Sequence, residues 1–276
     1  MFKKKIIALL CGAVMVSGLA VGCGSGGSSE GDTAKITISG STSVGPTMEV
    51  LAEAYQKNND VKIEVQQPGS SAGIKNTIDG TSDLGMSSRD LKDEETADVE
   101  GTQIAIDGIA VVTNTANKVK DLTIDQVKDI FTGKITNWKE VGGEDASIVV
   151  ISREEGSGTR DGFQDILGFE SEELTKDATI SDGSGNVKST VEGNENAIAY
   201  ISFGYLDDTL NDLKIDGVEA NDDNVVAGKY PISRPFLVIN KKDAMTDNAK
   251  AFVDFIMSEE GQNIIAEEAF IKAPTK

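Results

Sequence analysis

The sequence contains no histidine. A Ser-His-Asp triad therefore cannot exist, although Gly69-Ser-Ser-Ala-Gly73 matches the G-x-S-x-G pattern with Ser71 in the nucleophile's place. Zinc sites of the usual His-containing kinds are excluded too, and the 2 cysteines form no cluster that could replace them. The G-x-x-x-x-G-K-[ST] phosphate loop is also missing. These absences point away from an enzyme, with no catalytic residue, metal or cofactor expected. Positive charge is scarce as well. There are 26 basic side chains against 46 acidic ones, a net charge of −20, which argues against nucleic acid and anionic lipid as partners.

What is present begins with a leader. Lys3, Lys4 and Lys5 precede an apolar run too short for a comfortable membrane span, and the run ends in Leu19-Ala-Val-Gly-Cys23. That ending resembles a bacterial lipobox, with Ala20 where leucine is favoured, and predicts cleavage that leaves a lipidated Cys23. An ordinary secretory signal with Cys23 incidental is the alternative. Removing 22 residues that carry three lysines leaves 254 residues at a net charge of −23, enough chain for two modest domains. Cys11 departs with the leader, so no disulfide is expected. The polar, glycine-rich stretch that follows Cys23 reads as a flexible tether.

Periodicity then gives an α/β pattern. Strands are predicted at Lys35–Ser39, Val61–Val65, Ile104–Val112, Ser147–Ile151, Ala197–Ile201 and Phe236–Asn240. Helices are predicted from Val44, Met48, Leu51 and Tyr55, from Gly73 onward, from Ile124 to Phe131, around Phe163, and near the C-terminus around Phe252 and Ile264.

Three β-rich runs end in glycine- and hydroxyl-rich loops that open helices: Ser39–Gly45, Gln67–Gly73 and Glu155–Thr159. Asp83–Arg89 is similar in content. The first N–H groups of a helix lack partners and the macrodipole is positive there, so such ends favour anions. Each loop alone is an ordinary N-cap. Together, with Arg153 four residues before Ser157, they point to an oxyanion site.

On these residues the sequence resembles the substrate-binding lipoproteins of bacterial phosphate ABC transporters. The most specific match is Arg153-Glu-Glu-Gly-Ser-Gly-Thr159, supported by Gly40-Ser-Thr-Ser43 and Gly69-Ser-Ser-Ala-Gly73. Phe131–Trp138, Ala197–Tyr200 and Tyr230–Ser233 are similar to the family's structural signatures, with Trp138 read as packing. The resemblance implies a two-lobed periplasmic-binding-protein-like fold of type II, in which each lobe is a sheet flanked by helices and two hinge strands join the lobes. It implies a leader at 1–22, a tether at 23–34, lobe one at 35–113 and 234–276, and lobe two at 114–233. It also implies phosphate contacts from Thr42, Ser43, Ser70, Arg153, Ser157, Gly158 and Thr159. Ser88 stands where some members carry an aspartate that accepts a proton from phosphate, and Arg89 beside it either adds positive charge or pairs with Asp90 or Asp161. Inorganic phosphate, the permease and ATPase of an ABC transporter, and a lipid anchor on the outer face of a Gram-positive membrane follow as the implied partners and location. Receptors for sulfate or molybdate, a sensor without a transporter, and a phosphohydrolase are the rival readings.

Overall fold

A computed structural model describes residues 33–274; the leader, Cys23 and the tether up to Asp32 lie outside the described residues. Strands β1 (Ala34–Gly40), β2 (Val61–Gln66), β3 (Leu84–Ser87), β4 (Val99–Asn114), β5 (Asp121–Leu122), β6 (Val149–Arg153), β7 (Thr179–Ser181), β8 (Ala197–Ser202), β9 (Leu210–Asp212), β10 (Lys214–Ile215), β11 (Ser233–Lys241) and β12 (Ile271–Lys272) alternate with helices. These are α1 (Gly45–Gln56), α2 (Ser70–Asp79), α3 (Ile124–Phe131), α4 (Gly158–Leu167), α5 (Ser184–Glu192), α6 (Asp222–Val226), α7 (Asp247–Ile256) and α8 (Glu259–Glu267).

Local chemistry sets the helix starts. Thr123 and Gln126 form a reciprocal capping box on α3, and Ser157, Thr246 and Ser258 each accept a backbone N–H of the helix that follows. Helix α2 starts at Ser70, three residues before the predicted Gly73, because Gly69 at φ 104° turns the chain into the helix earlier than the apolar spacing suggests.

The strands run in the order β2-β1-β3-β11-β4-β8-β6-β7. β1 is parallel to β2 and β3, and β6 is parallel to β7 and β8. Between these groups, β4 and β11 pair antiparallel from Ser233↔Gly108 to Lys241↔Val99, with an irregularity at Phe236/Leu237. β4 then continues, antiparallel to β8, through Thr113.

Two large hydrophobic cores lie along this curled sheet, with a smaller cluster of Ile74, Val99, Leu237 and Ile239 beside them. One gathers Ile36, Met48, Leu51, Phe236 and Phe252; the other gathers Phe131, Trp138, Phe163 and Tyr200. Along β4 the packing passes from the first core to the second between Ala105 and Ile109, and along the return path it passes back between Ile232 and Phe236. Trp138 is buried and donates its indole N–H to the Asn196 carbonyl at 3.0 Å, as a packing residue should.

The parallel strands matter for function. β1, β2 and β3 end at Gly40, Gln66 and Ser87, and β6 and β7 end at Arg153 and Ser181. Ligand sites in α/β sheets form beyond such carboxyl ends. The loops that leave these strands meet one another.

Candidate anion-binding site

The meeting point is made of hydroxyls. Ser43 Oγ lies 3.0 Å from Thr159 Oγ1 and 3.3 Å from Ser184 Oγ, and Thr42 Oγ1 lies 3.2 Å from Ser184 Oγ. Ser70 Oγ lies 3.3 Å from Ser88 Oγ and accepts the Ser88 backbone N–H at 3.2 Å. Gly158 packs between them; a methyl group on it would come within 2.4 Å of Ser70 Oγ and 2.7 Å of Ser88 Oγ. Ser43, Ser70, Ser88, Arg153, Ser157, Thr159 and Ser184 are all buried.

The structure thus brings Thr42, Ser43, Ser70, Ser88, Arg153, Gly158 and Thr159 together from the loops after β1, β2, β3 and β6. Ser157 sits at the same place; its hydroxyl accepts the Arg160 N–H at 3.3 Å as the α4 cap, which leaves its own hydrogen free to turn toward an anion. Cys23 lies outside the described residues.

Helices α1, α2, α4 and α5 begin at these loops, and neither α2 nor α5 has a side-chain cap. Their N-terminal N–H groups add a positive potential that costs no reorganisation when an anion arrives. Seven buried polar side chains in one place would be costly unless they served each other or a ligand.

Arg153 supplies formal charge. It donates from Nη1 to Ser184 Oγ at 3.2 Å and from Nη2 to Thr42 Oγ1 at 3.1 Å. It is also paired with Glu154, through Nε at 2.7 Å and Nη2 at 2.6 Å, so one guanidinium serves both the hydroxyl cluster and a neighbouring carboxylate. Burial is the largest influence and works to raise the Glu154 carboxyl, but the Arg153 hydrogen bonds, the Arg153 charge and backbone N–H donors together outweigh it and hold the pKa below the ordinary value. Glu154 Oε2 also accepts the Gly183 N–H at 3.1 Å. Arg153 is held from behind by Tyr200, whose hydroxyl accepts the Arg153 N–H at 3.2 Å and lies 2.8 Å from Ser152 Oγ. The Tyr200 ring stacks on Phe163 at 4.1 Å within the second core.

Arg89 does not enter the cluster of hydroxyls. It forms a fork with Glu95 at 2.9 Å on both nitrogens, donates to the Asp90 carbonyl and to Ser71 Oγ, and places Nε 3.0 Å from Asp161 Oδ2. Of the two expected partners, Asp161 forms the ion pair, and Asp90 takes part only through its backbone. Asp161 belongs to α4, so this contact links β3 to the second core's helix. Tyr205 Oη donating to the Thr42 carbonyl at 2.8 Å and Ser71 N donating to Gly156 O at 3.1 Å do the same elsewhere.

Two contributors were not anticipated. Ser184 opens α5 behind Gly183 at φ 78°. Asp182-Gly-Ser-Gly185 has the composition of the other loops, with Val187 and Val191 at helical spacing, but the strand before it is only three residues long. The other is Arg234, which donates from Nη2 to Ser43 Oγ at 3.2 Å and from Nη1 to the Ser88 carbonyl at 3.2 Å. It is the single charge in the apolar run Tyr230–Asn240, opposite the single acid, Asp107, of Ile104–Val112. Lone opposite charges in two apolar strands are the signal that could have paired them.

Among the described residues no group of three or more His, Cys, Asp or Glu is placed to hold a metal, and no helix is long and apolar enough to cross a membrane.

The profile of the PBP superfamily domain matches residues 27–260. The chain belongs to the PBP superfamily. It is similar to the phosphate-binding protein PstS of Bacillus subtilis, with 35% identity over 97% of this chain and 93% of that protein. Among solved structures it is similar to a Clostridium perfringens protein described as a phosphate ABC transporter substrate-binding protein, crystallised with bound phosphate. That likeness has 59% identity and a TM-score of 0.85, and covers 87% of this chain and all of the other. An ABC-type phosphate transport receptor from Vibrio cholerae follows, with 36% identity and a TM-score of 0.74 over 87% of this chain and 100% of its own. The two-lobed architecture expected from the sequence is thereby shown.

Proposed function

We propose that this protein binds inorganic phosphate between its two lobes and hands it to the permease of an ABC importer. The observation that carries the reading is the burial of Arg153 among the hydroxyls of Thr42 and Ser184, within a ring completed by Ser43, Ser70, Ser88 and Thr159. Donors dominate this ring, and its formal charge is matched internally by Glu154. A tetrahedral oxyanion, with acceptors on every side, satisfies such a ring when each hydroxyl turns its hydrogen inward. The relatives named for phosphate support the choice among oxyanions.

Lobe one is taken as residues 35–113 with 234–276, and lobe two as 114–233. The change of core between Ala105 and Ile109 on β4 supports a hinge there, a few residues ahead of the 113/114 boundary. Thr42, Ser43, Ser70 and Ser88 then belong to lobe one, and Arg153, Gly158, Thr159 and Ser184 to lobe two. Closure brings the two sets together and excludes water, which strengthens each charge-assisted hydrogen bond.

The acidic surface does not oppose this. Salt screens distant charge over about 8 Å at physiological ionic strength. Hydrogen bonds to a charged partner contribute roughly 1.5–3 kcal/mol each at contact distance.

Ser88 gives a test of how the ligand's proton is read. A hydroxyl can donate or accept, so phosphate affinity should vary little between about pH 6 and pH 8. Ser88→Asp should bind better toward the acid side and reject sulfate more strongly, because a carboxylate repels an oxyanion without a proton. Calorimetric titrations of both proteins with phosphate and sulfate decide this. A steep loss of wild-type affinity as pH rises would show that another carboxylate reads the proton.

Anchoring through Cys23 belongs to the same reading and is motivated by the basic start, the apolar run and the Gly22-Cys23 junction. Cells expressing the wild type and fed labelled fatty acid should incorporate label into the membrane-associated protein, whereas Cys23→Ser should be released unlabelled. Membrane retention of Cys23→Ser together with an unlabelled wild type would contradict it.

A further inference from the structure

We infer that the buried Asp107–Arg234 pair sets the charge of the anion site and fixes Ser43 as a hydrogen-bond donor, so that mono- and dianionic ligand are accepted alike. This rests on the reading of the site as a phosphate site and concerns a pair of residues outside its loops.

The geometry is specific. Arg234 on β11 stands directly opposite Asp107 on β4, where the two core-crossing strands pair. Nε and Nη2 donate to Asp107 Oδ2 at 3.1 and 2.9 Å, and Asp107 Oδ1 accepts from Ser202 Oγ at 2.9 Å and Phe203 N at 3.2 Å. Both carboxylate oxygens are therefore occupied and neither is free to face a ligand. The guanidinium lies 5.4 Å from the centre of the Phe236 ring, and both charged side chains are almost wholly buried.

The consequence for Ser43 follows from hydrogen-bond inventory. Arg234 has only donors, so Ser43 Oγ must accept from Nη2 and must direct its own hydrogen elsewhere. Elsewhere is the cluster with Thr159 and Ser184. Ser43 is thus held as a donor toward the anion, and Arg234 is a positioning residue that acts through it.

The consequence for charge follows from pairing. Arg153 is matched by Glu154, and Arg234 by Asp107, so the two guanidiniums bring no net charge to the site. The groups facing Arg234 are Asp107, the Arg153 guanidinium and the neutral Tyr200 phenol. Behind it, Arg89, Asp90, Lys92, Asp93 and Asp165 line a cleft of about 320 Å³ with mixed charge. Burial presses against both partners: it raises the Asp107 carboxyl and lowers the Arg234 guanidinium, and their mutual attraction offsets this only in part. Removing Asp107 therefore leaves a buried cation that an anionic ligand can compensate, whereas removing Arg234 leaves a buried carboxylate that it cannot.

The test is phosphate affinity by calorimetry at about pH 6 and about pH 8, where the share of dianion changes, with melting curves to establish folding. Asp107→Asn should acquire an affinity that rises with pH and should bind sulfate more tightly than wild type, because an unmatched cation favours the dianion. Arg234→Gln should lose affinity at least ~tenfold and lose more at the higher pH, because the unmatched Asp107 repels the dianion. Should either of these fail to fold, Arg234→Lys decides. It keeps the charge, so its profile should stay flat, but one ammonium cannot serve Asp107 and Ser43 in the same fork geometry, and affinity should fall several-fold. A purely structural pair would change the melting temperature and leave the pH profile parallel to wild type. Parallel profiles in the first two variants, or unchanged affinity in Arg234→Lys, overturn the inference. Absence of phosphate binding by the wild type would instead overturn the reading of the site.

Discussion

Arg153→Ala is expected to weaken phosphate binding by about 30- to 1,000-fold, equivalent to about 2–4 kcal/mol. Three effects act in the same direction. The substitution removes the donors that reach Ser184 and Thr42. It removes the cation from a desolvated position where charge-assisted hydrogen bonds are strongest. It also leaves Glu154 beside the site with only the Gly183 N–H as a partner, so the remaining carboxylate repels the ligand. Arg153→Lys should recover part of the loss, because an ammonium restores charge but cannot serve Glu154, Ser184 and Thr42 in one plane. Calorimetry on both variants checks this. Affinity unchanged in Arg153→Ala would mean that the guanidinium serves only Glu154 and that the anion binds elsewhere.

Gly158→Ala is expected to lower phosphate affinity by about 10- to 100-fold while leaving the unliganded protein folded. Gly158 is the first residue of α4, where alanine is a good helix former, so the helix itself does not suffer. The added methyl group comes within 2.4 Å of Ser70 Oγ and 2.7 Å of Ser88 Oγ, both on the opposite lobe in the proposed division. The obstacle therefore acts on closure. The melting temperature without phosphate should stay within about 2 °C of wild type, and the rise on adding phosphate should shrink. A fall in the unliganded melting temperature with full affinity retained would place the clash inside one folding unit and contradict the interlobe geometry.

The parts of this fold that could be read from sequence are those where one local signal suffices. The alternation of Lys35–Ser39 and Val61–Val65, the helical spacing of Met48 and Leu51, and the apolar run through Val112 each specify an element without help from distant residues. The loops of the site were legible for the same reason: glycine and hydroxyl residues between a strand and a helix leave a distinctive composition. The sequence pattern starts α2 at Gly73, whereas the turn at Gly69 starts the helix at Ser70. Ser184 escaped because the strand that delivers its loop, Thr179–Ser181, is too short to show alternation. Arg234 escaped for a deeper reason. Its role depends on the register that sets it against Asp107 and on the approach of Ser43 from a loop 191 residues away, and no local pattern encodes either. Arg89 was ambiguous for the same cause. The choice of Glu95 and Asp161 over the Asp90 side chain depends on how α4 meets the end of β3.

The central claim is that an oxyanion, phosphate in particular, binds where the loops after β1, β2, β3, β6 and β7 converge. The most direct measurement is calorimetric titration of the folded wild-type protein with phosphate at moderate ionic strength. Saturable binding of one phosphate per chain is predicted, with a Kd of about 10 µM or tighter. A folded protein that gives no saturable heat with phosphate up to about 1 mM would contradict the claim.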